Sequence, residues 1–126
     1  MLSSVSAGSR SDWPSELPPP NAAGWGEPAV SWLLDLMPGE HRGYAVLRRH
    51  PVALARLAVA QVEAELDAGR AGVATARRDL TDLLPAQAIE DLLGVYEREQ
   101  VRLTALLRSV RAVDAAFRQA TSARDR

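Results

Sequence analysis

From Pro51 onward the apolar positions fall into a regular stepping. Val52, Ala55, Val59, Val62, Leu66, Gly69, Val73, Ala76, Leu80 and Leu83 are separated alternately by three and four residues, and no charged or polar side chain interrupts them. That spacing places all of them on one helix face and predicts a seam of coiled-coil type. Pro85 stops the helix and suits the first turn of the next. There the stepping continues from Ile89 through Leu92, Tyr96, Glu99, Leu103, Leu106, Val110 and Val113 to Phe117, with Glu99 its single polar member. So short a connection makes the two helices run antiparallel. The pattern therefore predicts a hairpin of 51–84 and 86–120, roughly 50 Å long at about 1.5 Å per residue.

Upstream, "EPAVSWLLDLMPG" offers Pro28 for a first helical position, an apolar stripe of Trp32, Leu33, Leu36 and Met37, and Pro38-Gly39 as a stop. A short helix over 29–37 is expected. "EHRGYAVLRRHP" reads as a loop with a short helix or turn over 43–49, ended by the restriction Pro51 places on His50. Residues 1–28 hold six serines, five prolines and three glycines, which predicts a disordered acidic tail. Trp13 and Trp25 are unusual in such a tail; either they fold back on the domain or they form a docking motif. Residues 121–126 are expected to fray. The fold class is thus all-α: a long antiparallel, coiled-coil-like helical hairpin with a short N-terminal helix, in one helical domain over 29–120, forming a bundle on dimerisation.

Two glycines interrupt the long helix, each costing about 0.5–1 kcal/mol relative to alanine. If Leu80 meets Ile89 across the hairpin, Val73 meets Tyr96, Leu66 meets Leu103 and Gly69 meets Gln100, with Glu99 adjacent. The seam position without a side chain then faces the polar break in the partner helix. Three readings follow. A polar layer of Gly69, Glu99 and Gln100, with Arg70 and Arg102 pairing Glu99, would fix the register. Otherwise the gap admits a third helix or a subunit, or it is a small-ligand pocket. Gly72 lies off the predicted seam and has no explanation at this level.

The apolar pattern exceeds what one hairpin can cover. Leu92-Leu93 and Leu106-Leu107 give the last helix a second stripe, and Leu54, Leu57 and Ala58 do the same for the long one. The Trp32–Met37 helix can cover the open end. Leu83, Leu84 and Leu93 near the turn, with Leu107, are left as the candidate interaction interface.

Charge sorts along the same rod. Arg42, Arg48, Arg49, Arg56, Arg102, Arg108, Arg111 and Arg118 share the open end against Asp114 alone, whereas residues 63–99 set nine acids against four arginines. An antiparallel partner would lay each basic end beside an acidic one. The acidic residues of the tail (Asp12, Glu16, Glu27, Asp35 and Glu40) could instead neutralise the basic end within one chain.

Composition narrows the chemistry. All fifteen basic residues are arginine, and there is no cysteine, so lysine Schiff-base chemistry, disulfides and thiolate metal sites are excluded. His41 and His50 have no carboxylate at metal-ligand spacing, and no phosphate-binding or nucleophile motif occurs. The expectation is a protein that is not an enzyme and uses no cofactor or metal. Arg42, Tyr44, Arg48, Arg49, His50 and Arg56 form a possible anion site, so the alternative reading is a binder of nucleic acid or of a small anionic effector at the open end. The favoured partner is a second copy or another helical protein. No apolar run approaches the ~20 residues that cross a bilayer, and the N-terminus does not read as a signal peptide, so a cytoplasmic protein with no membrane association is expected. In length the hairpin resembles small secreted proteins that carry Trp-x-Gly at the turn. Here the turn reads "TDLLPAQ", and no family is assigned.

Overall fold

The computed structural model describes residues 12–124. Among them the protein is all-α: α1 (Gly26–Asp35), a single 3-10 turn (Gly39–Gly43), α2 (Ala45–Arg49), α3 (Pro51–Leu80) and α4 (Ala86–Arg124). Pro51 occupies the first turn of α3, where its missing N–H removes no helical hydrogen bond. His50 stands at the N-cap; its side chain makes no capping bond, while its carbonyl accepts from Ala53 N at 2.9 Å. α3 ends at Leu80, whose carbonyl accepts from both Leu83 N and Leu84 N at 2.9 Å, so residues 81–84 form the turn instead of the last helical residues expected. α4 continues to Arg124, past the expected end at 120; residues 125–126 lie outside the described residues.

α3 and α4 pack along their length, and the ion pairs Arg77–Glu90 (2.7 Å) near the turn and Arg111–Glu63 (2.9 Å) nearer the middle bridge them in antiparallel order. The main core lies towards the open end. Leu33 of α1, Leu54 and Val62 of α3, and Val110 and Val113 of α4 have almost no exposed surface, and Leu47 of α2 closes the cluster from the side. α1 packs on α3 here, and Leu54 and Ala58 of the second stripe are buried, whereas Leu57, its third member, stays exposed. Beyond Leu66 and Leu103 towards the turn, only Ala76 and Ile89 are buried.

The expected disorder of the 1–28 tail is corrected from residue 12 onward; residues 1–11 lie outside the described residues. The arm is a run of turns: Leu17 N donates to Pro14 O (3.2 Å), Ala22 N to Pro19 O (2.9 Å), and Trp13 Nε1–H to Pro18 O (3.0 Å). Pro14 and Leu17 are buried. Gly24 takes a left-handed φ of 73° and leads the chain into α1, which starts at Gly26, not 29. Both tryptophans fold back. Trp25 lies against Phe117 of α4 (ring centroids 4.6 Å apart), and Trp13 meets Trp25 edge-on at 5.8 Å. Composition alone suggested disorder, but prolines set the turn dihedrals while two indoles and Leu17 supply the apolar area that holds them. Trp25→Ala removes the middle ring of this stack and is expected to destabilise the protein by about 2 kcal/mol, measured by urea denaturation. A tail that did not pack would give no change.

Candidate interaction surfaces

At the middle of the hairpin, the Gln100 side-chain amide reaches across from α4 and donates to Leu66 O at 3.2 Å. Its nitrogen occupies the space a Cβ on Gly69 would fill. Gly69 therefore admits an amide that hydrogen-bonds to the backbone of the facing helix. Glu99 and Arg102 do not join this layer. They pair with each other on the flank at 2.8 Å, both about half exposed, and Arg70 pairs with Asp67 at 3.0 Å instead of with Glu99. The hydrogen bond from Arg102 holds the Glu99 carboxyl below its ordinary range against the opposing effect of desolvation, and the Arg102 guanidinium is raised by the same bond.

Gly72 also sits under a side chain. A Cβ there would lie 2.5 Å from Cζ of Tyr96. Val73, the predicted seam residue, is 44% exposed. One turn after Gly69 the facing side chain, Tyr96, therefore lies over Gly72 and leaves Val73 outside the contact. The sequence signal for this was a second glycine three residues after the first, facing the bulkiest side chain of the opposing seam.

Of the four interface leucines, Leu83 is 73% exposed and Leu84 40%, while Leu93 is half-buried and Leu107 packs against the core. Val95 and Val101 are exposed apolar residues that the sequence reading passed over. Together with Val73 they leave the turn half with uncovered apolar surface on several sides.

The arginines of the open end do not converge as expected. Arg42 pairs with Asp35, and Arg48 Nε donates to Arg42 O at 3.1 Å. Tyr44 packs edge-on against His41 at 5.5 Å, and Arg49, His50 and Arg56 are exposed. Arg42 and Arg48 do line a cleft of about 610 Å³, with Arg124, Glu27, Trp25 and Phe117. Arg124 escaped the sequence reading because it lay in the segment expected to fray. Part of the acidic tail does offset the basic end: Asp12 lies 3.8 Å from Arg108, alongside the Asp35–Arg42 pair. Asp114 is 95% buried; one carboxylate oxygen meets Arg118 at 2.9 Å and the other has no hydrogen-bond partner.

A second, larger hollow lies between the arm and the outward face of α4. Trp13, Trp25 and Pro19 form its wall, Ala112, Ala115 and Ala116 its floor, and Arg108 and Arg111 also line it; it is an open groove of about 1110 Å³. Among the described residues no helix is long and apolar enough to cross a membrane, and no group of three metal-ligating side chains occurs.

Compared with known protein families, characterised proteins and solved structures, the chain matches none. Function must therefore be argued from these surfaces.

Two outcomes test the seam. Gly69→Ala is expected to leave stability nearly unchanged, because about 1 kcal/mol of helix propensity is offset by loss of the Gln100–Leu66 hydrogen bond. In a Gln100→Ala background the same change is expected to stabilise by about 1 kcal/mol, so urea melts of the four proteins give the coupling directly. For the flank pair, Arg102→Gln is expected to raise the Glu99 pKa towards the ordinary carboxylate value in an NMR titration. The sign follows from the depressed native value: the pair contributes stability above the unfolded-state pKa and loses it as pH falls through the folded one.

Proposed function

We propose that the protein is a non-enzymatic helical interaction protein that associates with a second copy of itself. The observation that carries this reading is the uneven cover along the hairpin. The arm, α1 and α2 bury a core at the open end and leave Tyr44, Val46 and Leu57 exposed there, whereas in the turn half only Ala76 and Ile89 are buried and Val73, Leu83, Leu84, Val95 and Val101 are all 40% or more exposed. Apolar side chains left in water beyond the scattered few of an ordinary surface commonly mark a contact site. The charge distribution favours a copy as the occupant, because an excess of acid over residues 63–99 is matched by an excess of arginine at the other end of the same rod.

The mechanism is burial of leucine and valine against a like surface, with opposite charges setting the orientation. Apolar contact supplies affinity, and the charged ends disfavour parallel pairing, in which acid would lie beside acid. A second reading draws on the cleft of Arg42, Arg48 and Arg124, which fits a small anion carrying an apolar group to lie against Trp25 and Phe117. Salt separates the two: a leucine-lined association persists as ionic strength rises, whereas anion binding weakens steeply.

In sedimentation velocity at micromolar concentration and about 0.5 M salt, the native chain is expected to run as a dimer, since at that strength charges beyond a few ångström are screened. Replacing both Leu83 and Leu84 with Asp is expected to give a folded monomer with an unchanged circular dichroism spectrum. These side chains are exposed in the single chain, so their loss acts on association and not on the fold. A native chain that sediments as a monomer at every concentration would remove this reading.

A further inference from the structure

The tip of the turn and the groove beside the arm are complementary, and we infer that the tip of one copy seats in the groove of a second copy, twice over, in a closed antiparallel pair. This rests on the self-association proposed above and says where it takes place. The groove has an aromatic wall of Trp13 and Trp25, a floor of alanines, and Arg108 and Arg111 beside them. Small floor side chains leave depth, and indole faces offer broad apolar contact. The tip carries Leu83 and Leu84 on a convex turn, with the Asp82 carboxylate next to them in the chain and Asp79, paired with Arg78 at 3.3 Å, about one turn earlier.

Apolar and electrostatic matching coincide. Two leucines entering the groove take apolar surface of both copies out of water, while the neighbouring Asp82 carboxylate approaches Arg108. That arginine is more than half exposed, and its own acidic neighbour, Asp12, stands 3.8 Å away, at the long limit of ion pairing. The guanidinium therefore has donor capacity to offer an incoming carboxylate. Arg111 is held more tightly by Glu63, at 2.9 Å, and serves chiefly to keep the groove positive.

Geometry allows both seats to fill at once. α3 spans 30 residues, about 45 Å at 1.5 Å per residue, which is the separation of the tip from the open end. A partner laid antiparallel along α4 brings each tip beside the other copy's groove. Val101, 70% exposed, precedes Arg108 by seven residues and so lies on the same face of α4, with Ala105 between them. The groove thus continues to the middle of α4 as a short apolar strip of Ala105 and Val101, beyond which the same face carries Arg98 and Gly94. Because each copy presents the same two surfaces, the contact closes on itself about a two-fold axis.

The chain has no cysteine, so single-cysteine variants report contacts between copies without interference. When Leu84→Cys and Ala115→Cys proteins are mixed under mild oxidation, the disulfide joining one of each is expected to exceed either homodisulfide about tenfold, since Cα atoms beyond ~7 Å do not bridge without movement. Residues 84 and 115 sit at opposite ends of one hairpin, so the link reports only on pairs. Sedimentation of the same samples separates the two possible failures. Monomers throughout would overturn this inference and the function it rests on. A dimer that lacks the mixed link, or that links residue 84 to residue 84, would overturn the seat and leave self-association standing, and growth in mass beyond the dimer would overturn the closed pair. Ala115→Trp, which fills the groove from an exposed position, is expected to weaken the dimer roughly tenfold or more, as occlusion of a central contact does. Undiminished association of that variant would equally overturn the seat.

Discussion

Two helices in contact bury one stripe each, and everything else about this protein follows from what becomes of the remaining faces. At the open end the N-terminal arm, α1 and α2 lie over them, and the core reaches the thickness of a small bundle, with Leu33, Leu54 and Val110 sealed from water. At the turn end nothing in the described chain does so. Ala76 and Ile89 are buried there, but the surrounding valines and leucines are not. The packing of α3 on α4 is the shared frame, and the arm is what makes one half of it a domain.

That frame has a register, and glycine helps to set it. Gly69 and Gly72 let the Gln100 amide and the Tyr96 ring lie directly against the backbone of α3, so two of the larger α4 side chains are accommodated without parting the helices. A slip by one turn would move one of these groups onto the other glycine but carry its companion over Leu66 or Ala76, where a Cβ stands in the way. The polar contact contributes little net energy; its value lies in excluding alternatives, since an amide without its carbonyl partner is penalised more than the bond itself is worth.

Much of this was legible in the chain. The three-and-four stepping and Pro85 indicated the hairpin, and mirrored numbering about the turn brought Gly69 opposite Gln100, where the structure has it. The same stepping erred at Val73, because the Tyr96 ring is accommodated over Gly72, where there is no Cβ, and Val73 is left at the surface. The arm was misread for a different reason: prolines and serines report on chain stiffness and polarity, whereas the burial of Leu17 and the Trp13–Trp25–Phe117 stack depends on surface contributed by a helix ninety residues later. For the same cause the groove was invisible. Its wall and floor come from segments that only the folded hairpin brings together. Asp114, set against the arginines of the open end, is buried and pairs with Arg118; the expected Glu99–Arg102 pair forms, though on the flank outside the polar layer, and Arg70 turns to Asp67 instead of Glu99.

The concentration of the core at one end also grades the molecule's resistance to opening. Backbone amides near Leu54 and Val110 are released only when the whole structure comes apart, while those of α3 and α4 nearest Pro85 can be freed by a partial unzipping that leaves the rest intact. The lone chain therefore carries a soft tip on a firm base, and anything that grips that tip trades local fluctuation for order.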